Sequence, residues 1–415
     1  MLYTFSVSKE RLIAPANLGG FCLERGLSFG MALLFMAALA VAAPAAQQKS
    51  TKPLEIYVVD TEGGKADLWV TPSGQTLLID TGNPGERDTD RIVQVMDAAG
   101  VKKIDYLLLT HYHSDHIGGL QELVKRIPPI SHFYDHGPTV EDGINGHQPE
   151  MVPGFQAAYA KIYSKAQRTV LKPGDRIPIS GLDWRIVSSA GKVIKTALSG
   201  GGQPNPACSG AHRMFDPHDP DNGQSVGSVI TFGRFRAVDL GDLTSDIEYD
   251  LMCPDNPIGT VDMYFVSNHG SNNASSPEFV HAIQPRVVIL QNGPRKGGDV
   301  ETFHTLYSSP GIQDIWELHW GYAAGIKYNS PGLFIANIDD PAKIANVLTA
   351  PPHPPGMRHT PPSPASRAER AKAAAHTPAY WIKISVEPNG KFTVSNSRNN
   401  YSKTYAPARS RENAS

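Results

Sequence analysis

Along this chain, short apolar runs alternate with stretches whose apolar residues recur at helical spacing. Leu54–Val59, Ala66–Thr71 and Thr76–Asp80 read as three strands joined by the tight turns EGGK and PSGQ. Arg91–Ala99 predicts a short helix and Ile104–Leu109 a buried strand, and Leu120, Leu123 and Val124 predict a helix over Leu120–Arg126. Further on, Arg176–Ile179 and Trp184–Ser188 flank a Ser-Gly turn, and Ser225–Phe232 and Phe235–Leu240 pair about Gly233. Met263–Val266 and Val287–Leu290 are strands leading into the helices Ser276–Ile283 and Val300–Tyr307, and Ile315–Leu318 closes this half. Two strand-rich halves with helices between them predict an α/β protein, an αββα sandwich of two mixed sheets flanked by helices, over residues 54–320. Periodicity alone leaves other α/β layouts open.

Residues 196–224 form a Gly-, Pro- and Asn-rich loop, long enough to be a lid or rim. The remainder, 321–415, reads as a C-terminal extension. Within it, 350–378 is a Pro- and Ala-rich insert expected to be disordered, and 380–395 alternates around Pro-Asn-Gly as a β-hairpin that docks back on the body.

Composition changes the picture at the ends. Leu27–Ala43 carries no charge, follows Lys9, Arg11 and Arg25, and runs into small residues, the pattern of a secretory signal peptide over 1–46. Its removal predicts a periplasmic or extracellular protein with no stable membrane span. Cys22 would leave with this leader, so Cys208 and Cys253 remain, free to form one disulfide in an oxidising compartment or to stay apart. Net charge is −2 overall, +7 in 352–415 and +1 in 1–46, which leaves −10 for 47–351. An acidic body is not the footprint of a protein that grips long nucleic acid by its surface.

The chemistry concentrates in LLLTHYHSDHIGG, 107–119, where His111, His113, Asp115 and His116 share six positions. With 15 His in the chain, this pattern would arise by chance roughly once in a thousand such sequences. Imidazole nitrogens and a carboxylate on one loop after a strand are divalent-metal ligands. Ligands so close along the chain cannot all surround one ion, which points to two neighbouring sites completed from elsewhere. Asp242, in AVDLGD, and His269, in YFVSNHGS, lie at the carboxyl ends of strands in the second half and supply the completion.

LLIDTG (77–82), THYHSDHIGG (110–119), DLGD (239–242) and SNHGS (267–271) together resemble the metallo-β-lactamase superfamily of metal-dependent hydrolases. The resemblance implies the αββα sandwich and two divalent ions, zinc by preference, with manganese or iron or a single ion as alternatives. It implies His111 and His113 at a first site, Asp115, His116 and His269 at a second, Asp242 bridging, and Asp80 fixing the histidine loop. Within the superfamily, SVGSVITFGRFRAVDLGD (225–242) and NHGSNNASSPEF (268–279) are most similar to the ComEC-type hydrolase domain of DNA uptake, which implies a phosphodiester substrate.

Two departures stand out. Where the superfamily places a third first-site histidine, this chain reads DNGQ, with Asn222 and Gln224. His136, His212 and His218 are the stand-ins, each expected at the surface. In place of a Gly-His-Pro after the last strand the chain has Pro294-Arg295-Lys296-Gly297-Gly298, a loop suited to an anionic group or simply to solvent. The expected activity is hydrolysis by water that zinc activates at neutral pH, with Asp115 as the catalytic carboxylate. The substrate would be a phosphodiester, or alternatively a lactone, lactam or thioester. A non-catalytic metal-binding protein on the same scaffold is the competing class.

Overall fold

Two mixed sheets pack face to face. In spatial order the first runs Ser402–Tyr405, Phe392–Asn396, Ile382–Val386, Leu54–Val58, Asp67–Val70, Thr76–Ile79, Tyr106–Leu108, His132–Asp135, Gln167–Val170. It is antiparallel as far as Thr76–Ile79 and parallel thereafter. The second runs Ile335–Asn337, Asp314–His319, Val287–Leu290, Met263–Phe265, Phe235–Asp239, Gly227–Phe232, Asp183–Ser189, Arg176–Ile177, parallel up to Phe235–Asp239 and antiparallel beyond. This computed structural model describes residues 52–140, 152–208, 220–322, 324–340 and 378–408. The expected leader, residues 350–377 of the insert, His212 and His218 lie outside the described residues. Among the described residues no helix is long and apolar enough to cross a membrane.

Alternation along the strands builds three apolar layers. Leu77, Ile79, Trp69, Trp184, Ile230, Phe265 and Trp316 fill the space between the sheets. Trp69 and Trp184, one from each sheet, meet edge to face with ring centroids 5.0 Å apart. On the outer face of the first sheet, Leu68, Leu78 and Phe133 pack against Ile92, Val95 and Met96 of the helix Glu86–Ala98 and Tyr159 of the helix Val152–Tyr163. On the outer face of the second, Val238, Tyr264 and Val288 pack against the helices Ser245–Met252, Pro277–Ile283 and Val300–Ser308. The result is the expected four-layer αββα order.

Several elements depart from expectation, each for a local reason. The helix expected from Arg91 begins at Glu86, because Glu86 and Asp88 complement its first turn and Asp88 accepts the Asn83 N–H at 2.6 Å. Its first turn is polar, so apolar spacing missed it. The edge strands Gln167–Val170 and Ser402–Tyr405 are largely polar and part-exposed and carry little alternation. The boundary expected at 320 falls inside the sandwich: Ile335–Asn337 extends the second sheet, and Ile382–Val386 pairs with Leu54–Val58 in the first. Residues 378–408 are therefore strands of the body rather than an extension beyond it. Cys208 and Cys253 are bonded to each other, tying the loop after Gln203–Pro204 to the end of the helix Ser245–Met252.

A buried lysine joins the sheets at their carboxyl ends. Lys65, 3% exposed, places Nζ 2.9 Å from Asp67 Oδ2 in the first sheet and 3.0 Å from Asp239 Oδ2 in the second, and donates to Gln291 Oε1 at 2.5 Å. Burial works against its charge, but Asp239 and Asp67 outweigh it and hold its pKa above the usual lysine range. Removing the cation would strand two buried carboxylates, so Lys65→Met is expected to cost about 3–5 kcal/mol in urea denaturation.

Candidate metal centre

The centre is assembled where strands end. After Tyr106–Leu108 the chain stays extended through His113, then turns once in the short helix Ser114–Ile117, bringing Asp115 and His116 round to one side. The loops after Leu54–Val58 and Thr76–Ile79 hold this turn from outside, with Lys65 N donating to Asp115 O at 3.1 Å and Thr81 N to His116 O at 2.6 Å. Asp242 follows the Asp239–Gly241 turn, where Gly241 has φ +59° and a Cβ would stand 2.8 Å from Thr110 Cβ. Only glycine suits both demands. His269 sits just beyond Met263–Phe265, itself left-handed at φ 53° after Asn268 at φ 48°. Two successive non-glycine residues in that region are a strain that the surrounding structure must hold.

These segments bring Asp115, His116, Asp242 and His269 together, all their ligand atoms lying within 4.8 Å of one another. His116 Nε2 is 3.2 Å from His269 Nε2, 3.2 Å from Asp242 Oδ2 and 3.4 Å from Asp115 Oδ2. His269 Nε2 is 3.2 Å from each of the same two oxygens. Zinc with ligands at about 2.0–2.1 Å in a tetrahedron has ligand–ligand edges of about 3.3–3.4 Å, so the donor set fits such an ion. The imidazoles are also turned correctly. His116 Nδ1 faces Asp80 Oδ2 at 2.8 Å and His269 Nδ1 faces the Gln291 carbonyl at 3.2 Å, leaving both Nε2 atoms for the centre. Asp80, at φ 57° after Thr76–Ile79, also accepts from Thr110 N at 2.8 Å and Thr110 Oγ1 at 2.7 Å.

Electrostatics follow the geometry. Burial opposes a charged His116, but Asp242, Asp115 and Asp80 hold its pKa well above the ordinary histidine value. Burial likewise opposes ionised Asp115 and Asp242; Lys296 and His116 around the first, and His116 and His269 around the second, hold both well below the usual carboxylate range.

His111 and His113 lie beside this group but not in it. His111 Nε2 is 3.0 Å from His113 Nδ1 and 4.0 Å from Asp242 Oδ2, and burial together with the neighbouring histidines pushes the His111 pKa well down. The His116 ring packs against His111, with centroids 4.1 Å apart. Asn222 is buried in the turn Asn222–Gln224, its Oδ1 without a hydrogen-bond partner among the described residues, and Gln224 lies near Gly191. His136, expected at the surface, is 2% exposed, because it follows the largely buried strand His132–Asp135 and the Tyr112 ring lies tilted against it with centroids 4.5 Å apart. Its Nε2 is 3.5 Å from Asp221 Oδ2, the oxygen that accepts the Tyr112 N–H at 2.8 Å. His136 thus supports the peptide between His111 and His113.

Lys65 and Gln291, which hold His269 from behind, carry no signal in the sequence, and the 294–298 loop is suited by sequence equally to an anion or to solvent. That loop closes on the site: Lys296 Nζ contacts Asp115 Oδ2, and Gly297 lies against the His269 carbonyl with no room for a side chain.

Residues 63–184 match the family model described as the metallo-beta-lactamase superfamily. The chain is 24% identical over 272 residues to "Competence protein ComA" of Neisseria gonorrhoeae, covering 65% of this chain and 31% of that protein. It is 24% identical over 202 residues to "ComE operon protein 3" of Bacillus subtilis (strain 168), covering 49% and 22%. The chain thus spans less than a third of the length of these relatives. A solved diphosphatase of the PhnP family aligns with a TM-score of 0.36 at 14% identity, covering 63% of this chain and 95% of that one.

Asp80→Asn removes the acceptor that turns His116, and is expected to weaken zinc binding about 10–100-fold in chelator competition. Because an incoming cation must displace the proton from His116, zinc uptake is expected to release protons and to weaken as pH falls from about 8 to 6. Uptake without pH dependence would contradict this ligand assignment.

Proposed function

We propose that this chain, whose residues 63–184 match the metallo-β-lactamase superfamily model, is an exported phosphodiester hydrolase working at the centre formed by Asp115, His116, Asp242 and His269. The observation that carries this is the inward turn of both Nε2 atoms onto two carboxylates at tetrahedral spacing. When bound there, a divalent cation, zinc by preference, supplies Lewis-acid activation of water at neutral pH. His111 and His113 offer two further nitrogens at the side of Asp242, in place for a second ion.

The chain's own residues do the rest. His116, His269 and Asp242 hold the centre from the buried side. Asp115, the most exposed of the four at 16%, keeps an oxygen toward the open side, where it orients the attacking water and passes a proton to the leaving oxygen. Lys296 is 45% exposed beside it and presents positive charge where a phosphodiester's anionic oxygens would lie. The Cys208–Cys253 bridge and the leader pattern support export to an oxidising compartment. One observation favours a second reading, a thioester or lactone substrate: a 112-residue stretch is 31% identical to "Atrochrysone carboxyl ACP thioesterase dmxR1" of a Cryptosporiopsis species.

His116→Ala and Asp242→Ala are each expected to lower hydrolysis of bis(p-nitrophenyl) phosphate by at least about 100-fold with circular dichroism unchanged. Full activity in either would overturn the assignment. Lys296→Ala separates the two readings. It is expected to lower kcat/KM for the charged diester about tenfold or more, while turnover of neutral lactone and thioester probes stays near wild type.

A further inference from the structure

A concave site lies on the outer face of the second sheet, away from the metal centre. It is a cavity of about 710 Å³ lined by Arg176, Arg185, Arg234 and Arg236, with Asp183 as the one carboxylate among its described lining residues. Strand alternation puts the arginines there. Trp184 and Ile186 point into the core between the sheets, so Asp183 and Arg185 point out; Phe235 and Ala237 point in, so Arg236 points out. Arg176 and Arg185 are directly opposed across the antiparallel pair. Like charges in that register destabilise a sheet, and Asp183 is 3.4 Å from the Arg176 Nε.

Arg236 Nη1 donates to the Ser199 carbonyl at 2.6 Å. Arg234 Nη2 donates to the Ala408 carbonyl at 2.7 Å, a bond that orients its guanidinium without adding negative charge. Arg185 Nε is buried with no hydrogen-bond partner among the described residues. Leu198 and Val229 add apolar wall. Residues 197–200, near the start of the 196–224 stretch expected from sequence to be a lid or rim, border this cavity. Arg236 lies near the start of Phe235–Asp239, whereas Asp242 follows its far end, so roughly 10 Å of strand or more separates the cavity from the metal centre.

We propose that this cavity binds an organic polyphosphate of nucleoside-triphosphate size, independently of the metal centre. Planar guanidinium forks match phosphate oxygens in pairs, several forks spread along one cavity suit more than one phosphate, and the apolar wall suits the organic part.

The test is calorimetric titration of the full mature chain with adenosine triphosphate, without added divalent ions. Saturable binding is expected, with Arg185→Gln and the more exposed Arg176→Gln each weakening it about tenfold or more and Asp242→Ala leaving it unchanged. An unphosphorylated single-stranded oligonucleotide forms the second arm. Its failure to displace the triphosphate supports a free nucleotide ligand, and its binding where the triphosphate gives none would overturn that ligand class in favour of strand phosphates. No saturable binding at millimolar triphosphate, or binding lost in Asp242→Ala and kept in both arginine variants, would overturn the proposal.

Discussion

The metal centre depends on a buried cation that is not part of it. Its ligands come from the ends of strands in two different sheets, so the sheets must meet in one register for four donor atoms to share a sphere a few ångströms across. Lys65 enforces that register by contacting Asp67 of one sheet and Asp239 of the other while holding the Gln291 side chain, whose backbone carbonyl turns His269. Buried ion pairs are poor sources of net stability but effective at specifying one arrangement over its neighbours. Here the arrangement specified is the one in which Asp242, three residues after Asp239, arrives opposite His116.

From that register the rest follows by short chemical links. Asp80 turns His116 and fixes Thr110, Thr110 packs on Gly241, and Gly241 allows the turn that delivers Asp242. The left-handed backbone at Asn268 and His269 is a cost concentrated at the same place, as strain usually is where function requires an unusual direction. Asp115 and Lys296 are the more exposed side chains here, so the proposed chemistry falls on the exposed half of the centre and the holding on the buried half.

How much of this the sequence disclosed depended on whether a residue's role was local. The histidine loop, Asp242, His269 and Asp80 were legible because strand ends and tight turns place them within a few residues of a recognisable pattern. Lys65 was not: in EGGK it reads as a turn, and its partner Gln291 lies 226 residues away. His136 resembled a surface histidine because burial of a loop position is decided by tertiary packing against Tyr112 and Asp221. The arginine cavity was invisible for the same reason, since Arg176 and Arg185 meet Arg234 and Arg236 only through strand pairing. The hairpin at 380–395 was legible and does dock on the body, but its place beside Leu54–Val58 was not, because the order of strands in a sheet is not written in their periodicity.

The central claim is that Asp115, His116, Asp242 and His269 hold a divalent ion, and elemental analysis of the purified mature chain tests it most directly. At least one equivalent of zinc, or of manganese or iron, is expected in the wild type, and its loss in Asp242→Ala with the fold retained. A wild-type chain that binds no metal even after reconstitution, or an Asp242→Ala variant with undiminished content, would contradict it.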